Sequence, residues 1–376
     1  MSRWTDGVPS SEGHDPVRAS HTTAFALTEA SDAQYQALNR LLNDLRAERQ
    51  PDDPPSPLSV TVHQCRNFPS HIEAHAWGVT SDDGERMIAF GVAYVPLAPE
   101  NQHLASFSLD VHADHRRQGI GRHLLGHIEE VATARGRRLL VTTTNGRIPA
   151  GEAFMVRLGA SPGVMAQNHQ LSLDGLDRAL VTRWLERGRR HEQAYEIGIW
   201  EGPYPDEELE AIAALHDVMN QQPRDQLEMN DERMTPERLR ELERFFITEH
   251  TTRWTIFLRA RETGTFVGFT EIVLDAQQPE LARQGDTGVF PRHRGQSLGR
   301  WLKAAMLQRL LDERPDVRRV RTSNADSNAA MRRINEELGF VPQGSECVWQ
   351  VATRDARAYL RSRGHGAAGT RHQGAI

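Results

Sequence analysis

RRQGIGRHLL, residues 116–125, places a glycine turn among arginines and runs straight into an apolar pattern at helical spacing: Leu124, Leu125, Ile128, Val131 and Ala132. The signal returns as RGQSLGRWLK at 294–303, with Leu298, Trp301, Leu302, Ala305, Met306 and Leu310 on the helical stripe. When Val111 is set against Val289, seven of fourteen positions are identical: Val111/Val289, His115/His293, Arg116/Arg294, Gln118/Gln296, Gly121/Gly299, Arg122/Arg300 and Leu124/Leu302. Further on, VTTTN (141–145) matches VRTSN (320–324), and RLGA (157–160) matches ELGF (337–340); the offset grows by one residue at each step. Small loop insertions between the elements of a duplicated domain produce that drift, and solenoid repeats have far shorter periods.

Each copy carries a strand before the turn, HLASFSLDV (103–111) or ARQGDTGVF (282–290), then a helix, a short strand and a second helix ending at Gly159 or Gly339. Upstream lie helical patterns and a strand pair: AHAWGVT and MIAFGVAYV around SDDGER, then TIFLRARE and FVGFTEIVL around Thr263-Gly264-Thr265. The expected class is α/β, in two tandem domains at 21–175 and 196–353. A helical connector at 176–195 carries Leu176, Leu180, Trp184 and Leu185 on one stripe. Residues 1–20 and 354–376 lack periodicity and are expected to be mobile.

The chain of 376 residues is long enough for two cores, and no run has the length of a membrane span. The N-terminus lacks the apolar region of a secretory signal, so the expected location is the cytoplasm. A net charge of −6 opposes a general nucleic-acid binder. Cys65 and Cys347 are too few for a disulfide framework or a zinc site and read as structural thiols. The seventeen histidines show no metal-ligand spacing, so no metal is expected. Lys303 is the only lysine, which reads as arginine usage typical of a GC-rich genome.

Gly119-Ile120-Gly121-Arg122-His123-Leu124 lacks the third glycine of a dinucleotide fingerprint, and neither copy has the Gly-Lys of a Walker A loop. What remains is Arg-x-x-Gly-x-Gly opening a helix. Backbone amides at such a turn, with the helix dipole behind them, suit a pyrophosphate, and the arginines add charge-assisted bonds. A plain N-cap turn with solvated arginines is the competing reading; recurrence in the same strand-turn-helix-strand setting weighs against it.

These residues resemble the GCN5-related N-acetyltransferases, whose acetyl-CoA loop has the pattern Gln/Arg-x-x-Gly-x-Gly/Ala. Arg116, Gly119 and Gly121 match it in full, and Arg294, Ser297 and Gly299 match it with serine at the central glycine. Asn324, Asn328 and Leu338-Gly339-Phe340 resemble the family's later Asn and Gly-Phe element. The tandem form resembles the actinobacterial two-domain acetyltransferases such as mycothiol synthase.

The resemblance implies a mixed sheet in each domain, partly splayed and flanked by helices, with acetyl-CoA as cosubstrate. It assigns the pyrophosphate to Arg116, Arg117, Gln118, Gly119, Ile120, Gly121 and Arg122 in one copy. In the other copy Arg294, Gly295, Gln296, Ser297, Leu298, Gly299 and Arg300 have that role. Amides around Asp110-Val111 and Val289-Phe290 would polarise the thioester carbonyl, with Asn324 and Asn328 as further cofactor contacts.

The family's thiol-protonating tyrosine is replaced by Met155 and by Asn335, which stays a catalytic candidate by position. Glu271, Asp286 and Asp110 are candidate bases, weighed against their being ordinary surface carboxylates. The loop DQLEMNDE (225–232) lies where the family's substrate wall is found. There Asp225, Glu228, Asp231 and Glu232 would favour a cationic amine. The expected activity is N-acetylation of a small-molecule amine by a monomer or homodimer acting on neither nucleic acid nor membrane. Catalysis is assigned to the second copy and at least acetyl-CoA binding to the first. A non-catalytic acyl-CoA-binding or scaffold protein with one or both domains degenerate is the alternative.

Overall fold

The computed structural model describes residues 21–362. The first copy comprises β1 (Thr22–Phe25), α1 (Asp32–Arg49), α2 (Leu58–Arg66), β2 (Ile72–Thr80) and β3 (Met87–Pro96). It continues through β4 (Leu104–Val111), α3 (Ile120–Ala134), β5 (Leu139–Asn145), α4 (Pro149–Leu158) and β6 (Ser161–Ser172). After α5 (Arg178–Arg189) the order repeats as β7 (Tyr195–Glu201), α6 (Leu209–His216), α7 (Pro236–Phe246), β8 (Thr251–Ala260) and β9 (Phe266–Asp275). Then follow β10 (Leu281–Val289), α8 (Leu298–Glu313), β11 (Arg319–Ala325), α9 (Ala329–Leu338), β12 (Val341–Ala352) and α10 (Thr353–Ser362).

Local chemistry sets the boundaries. Ser31 and Gln34 form a reciprocal capping box at the start of α1. Gly159 (φ 81°) and Gly339 (φ 90°) close α4 and α9 in the left-handed conformation that glycine tolerates. Leu124, Leu125 and Ile128 of α3 have no exposed surface, each contributing ~1.5–3 kcal/mol of apolar burial.

The twelve strands of the described residues form one sheet, ordered β1-β2-β3-β4-β5-β12-β6-β11-β10-β9-β8-β7. The two copies exchange their last strands. β12 pairs antiparallel with β5 of the first copy, β6 pairs with β11 of the second, and β6 and β12 pair with each other at the centre. The helices that follow cross over as well. α5 packs on α8, where a Cβ at Gly188 would lie 2.2 Å from the Trp301 ring, so only glycine permits the approach. α10 packs on α3, with Ala356, Tyr359 and Leu360 joining the first copy's core. Residues 354–362 are therefore helical and not mobile as expected: burial of these apolar side chains orders them. The remaining parts of the expected mobile ends, 1–20 and 363–376, lie outside the described residues. No helix among the described residues is long and apolar enough to cross a membrane.

Candidate active site

The two arginine-glycine turns share one backbone form although their glycines differ. Arg117 (φ 64°) and Gly119 (φ 86°) are left-handed in the first; their counterparts Gly295 (φ 81°) and Ser297 (φ 61°) are left-handed in the second. Each turn thus carries one glycine and one strained residue, at ~1–2 kcal/mol for the latter. A Cβ at Gly119 would meet nothing within 4 Å, so serine at this place disturbs only its own backbone and leaves the second turn intact. Gly119 and Ser297 are the N-caps of α3 and α8. Beyond them the amides of Ile120, Gly121 and Arg122, or Leu298, Gly299 and Arg300, have no intrahelical acceptor and face outward with the positive end of the dipole.

The leading arginines fasten each turn to the strand before it. Arg116 Nε donates to the Val111 carbonyl at 3.1 Å and Arg294 Nε to that of Val289 at 2.8 Å. Arg116 also forks onto Glu48, which holds that carboxyl below its ordinary pKa. Gln118 donates to the Asp114 carbonyl at 3.1 Å, and Gln296 accepts from the Tyr195 hydroxyl at 3.5 Å.

Behind each turn the sheet splits. β4 pairs with β5 only from Leu104 to Ser106, and β10 with β11 only from Leu281 to Arg283. The Phe290 amide donates to the Val267 carbonyl at 3.0 Å, and that of His112 to Ile88 at 2.9 Å. Along an antiparallel strand the two polar backbone groups of a residue point to one side, and the side alternates. Val289 and Val111, one residue earlier, therefore turn theirs toward the split, consistent with the arginine bonds to their carbonyls. This corrects the expected amide pairs: Val111 and Val289 supply the free donors, while Phe290 is bonded to β9 and Asp110 faces β3.

The turns differ in electrostatics. The first opens on a cleft of about 1060 Å³, mouth included, lined by Arg49, Arg116, Arg117, Arg122 and Arg157 with Phe154 and Tyr359. In the second copy the counterpart of Arg157 is Glu337, which pairs bidentately with Arg300 at 2.9 and 2.8 Å and neutralises it. Phe154 is likewise replaced by Ile334, which approaches Gly299 as Phe154 approaches Gly121.

The second copy holds the carboxylate chemistry. β10 has nine residues to the eight of β4, and the extra one forms a bulge at Gly285-Asp286 between Gln284 and Thr287. Glu271 of β9 faces that bulge, and its Oε1 accepts from the Asp286 amide at 3.4 Å. Burial raises the Glu271 pKa and Asp286 raises it further; burial also raises that of Asp286. The Tyr204 hydroxyl lies 3.4 Å from Glu271 Oε2, 3.0 Å from His216 Nε2 and 3.4 Å from Thr255 Oγ1. Tyr204 is itself fixed, its amide donating to Glu243 at 2.8 Å and its ring lying 3.6 Å beneath the Arg253 guanidinium. Burial, then Arg253, hold His216 down to about 4, so it is neutral at pH 7.

The other candidates have partners. Asp110 pairs with Arg49. Asn328 caps α9, accepting from the Met331 amide at 3.3 Å. Asn335 is 1% exposed and donates to Asn324 Oδ1 at 2.6 Å. The acidic loop docks on the first copy through two residues, Glu228 pairing with Arg138 and Glu232 accepting from Asn101 at 2.8 Å, while Asp231 pairs with the nearby Arg224 of its own copy at 2.7 Å. Asp225 sits at a left-handed turn (φ 46°). The loop thereby clasps the two copies, and three of its four carboxylates are engaged. Sequence reading missed Tyr204, His216 and Arg253, which carry no spacing signal because three separate elements bring them together. It missed Lys303 for a different reason: its uniqueness was visible, its burial was not.

Two arginine-glycine turns, each opening a helix above a split sheet and one with two carboxylates beneath it, give the class of fold. The acetyltransferase (GNAT) family model matches residues 38–159 and 213–340, and the chain belongs to that family. A tandem GNAT protein from the clavulanic acid biosynthesis pathway superposes with a TM-score of 0.69 at 25% identity, over 88% of this chain and 98% of that one. A GCN5-related N-acetyltransferase from Sphaerobacter thermophilus shares the fold with a TM-score of 0.59 at 16% identity, over 89% and 96%. No curated protein matches the chain. Acetyl-CoA is the cosubstrate of the family in general, and the two cradles fit its pyrophosphate. Among the described residues no cluster of His, Cys, Asp or Glu is arranged to hold a metal ion.

Proposed function

We propose that this protein is an acetyl-CoA-dependent N-acetyltransferase of a small-molecule amine, with catalysis in the second copy and a cofactor-binding cleft in the first. The observation that carries this reading is Glu271, held against a bulge in the strand that lines the second split. A carboxylate with a raised pKa is matched to taking a proton from an amine near neutral pH. The amine then attacks the thioester carbonyl, whose oxygen gathers charge toward the Val289 amide, an interaction worth roughly 3 kcal/mol. The C–S bond breaks, and the proton taken by Glu271 balances the one gained by the departing thiolate through water. Glu271 and Asp286 together favour a cationic amine. The two buried, unpaired cysteines, Cys65 and Cys347, suit a reducing cytoplasm.

The test is thiol release from acetyl-CoA across an amine panel, for the parent, Glu271→Gln, Gly121→Glu and Gly299→Glu. Each glycine variant sets a carboxylate in one cradle. Turnover lost in Glu271→Gln and Gly299→Glu but kept in Gly121→Glu supports the assignment; the reverse pattern moves catalysis to the first copy. The arginine-lined first cleft favours binding alone as the second reading, and acetyl-CoA bound without turnover of any amine would establish it.

A further inference from the structure

Lys303 is the only lysine among 45 Lys and Arg residues, and it lies 2% exposed inside the second copy. Its Nζ donates to Asn335 Oδ1 at 3.0 Å and sits 5.6 Å from the Phe340 ring centroid. Asn335 Nδ2 in turn donates to Asn324 Oδ1. Asn324 lies on β11 three residues past Arg321, the last residue paired with β10, at the wall of the split. The three residues form a single file from the core to the cleft.

The first copy shows what the fold requires at these places. Counting from the matched valines and glycines, Lys303 corresponds to Leu125, Asn335 to Met155 and Asn324 to Asn145. Leu125 and Met155 are buried at 0% and 2% in the same apolar core cluster. Asn145 turns its oxygen to the Arg147 amide at 3.0 Å and serves a local turn. An apolar pair therefore satisfies the packing. A lysine with a single hydrogen-bond acceptor in its place lowers stability, because a buried ammonium is poorly compensated. Burial pushes the Lys303 pKa down to about 7.

We propose that Lys303 is a positioning residue for the second cleft: through Asn335 it fixes the Asn324 amide so that its NH₂ donates to a carbonyl of the acyl donor's amide-bearing arm in the split between β10 and β11. As an ammonium Lys303 can only donate to the Asn335 oxygen, which leaves the Asn335 nitrogen to bond the Asn324 oxygen. The Asn324 NH₂ then remains, and among the described residues no group accepts from it. Without Lys303 both amides are free to flip, and the donor at the cleft becomes an acceptor. The inference rests on the second copy binding acetyl-CoA, as proposed above.

The test is a calorimetric titration of the full chain with acetyl-CoA in a Gly121→Glu background, which silences the first cradle, together with KM and kcat. Lys303→Leu/Asn335→Met copies the first copy's pair. It is expected to be at least as stable as its parent by thermal melting, to bind acetyl-CoA at least tenfold more weakly and to raise KM for acetyl-CoA more than it lowers kcat. Asn324→Ala, which leaves the buried pair in place, is expected to give the same loss. Unchanged affinity in either variant would overturn the proposal alone. A parent that binds no acetyl-CoA in this background would overturn both the proposal and the reading beneath it, so the two failures are distinguishable.

Discussion

The two halves of this chain share a backbone and differ at a few interior places. Val92 (1% exposed) and Glu271 occupy equivalent positions, each three residues along the strand from the residue opposite Val111 or Val289. Leu125 and Met155 correspond to Lys303 and Asn335, and an unbroken β4 corresponds to a bulged β10. The first half is apolar where the second is polar and keeps the more cationic turn. A duplicated fold thus serves as its own control: where one copy packs well with valine, leucine and methionine, polar residues in the other are not there for packing. Bulges and buried polar groups lower stability, and they are retained where they aim a side chain.

The sharpest way to break the comparison is to make the halves alike. Glu271→Val, the first half's residue, should lower kcat by roughly 10²–10⁴-fold while melting temperature holds or rises. The reciprocal Val92→Glu should only destabilise, because it buries a carboxylate without a partner. Full activity in Glu271→Val would remove the base from the second copy.

Lys303→Leu should alter the pH dependence of stability. The folded pKa of about 7 lies below the ordinary lysine value of ~10.4, so the unfolded chain holds the proton over the interval between them. This group's contribution is complete above the ordinary value and is lost as pH falls through about 7. The parent should gain up to ~1.4 kcal/mol per unit from pH 7 toward 10 by denaturant unfolding, and the variant's curve should be flatter.

A smaller effect is expected of Tyr204→Phe. The Tyr204 hydroxyl stabilises the Glu271 carboxylate, so its removal should raise the acid limb of kcat/KM by about half a unit, the equivalent of a hydrogen bond worth under ~1 kcal/mol. A limb that stays in place or moves to lower pH would mean that Glu271 does not set it. Smallest of all, Ser297→Gly should stabilise and Gly119→Ser destabilise by up to ~1 kcal/mol, with cofactor affinity retained. Loss of binding in Gly119→Ser would show that the turns are not equivalent after all.

Much of this was legible in one dimension. The repeat, the turn chemistry and the β-turn-α-β-α unit depend on local periodicity, which survives in sequence. Glu271 and Asp286 could be singled out as acids on the strands beside the split. That Glu228 and Glu232 of the acidic loop are engaged by the first copy was not legible, because their pairing with Arg138 and Asn101 depends on contacts across the chain. Asn335 was noticed for what it replaces, and its real partner, Lys303, is one only in space.

Residues that are neighbours along the chain set the duplicated α/β pattern and the two arginine-glycine turns that open helices, because helix and strand periods and turn residues are local properties. The tertiary structure alone decided that the copies exchange their last strands and following helices to form one sheet. β6 and β12 have the same alternation whichever sheet they join, so only packing across the whole molecule selects the partner. It also decided which half is polar inside, since burial, and with it the Lys303-Asn335-Asn324 file, exists only once the chain has closed around it.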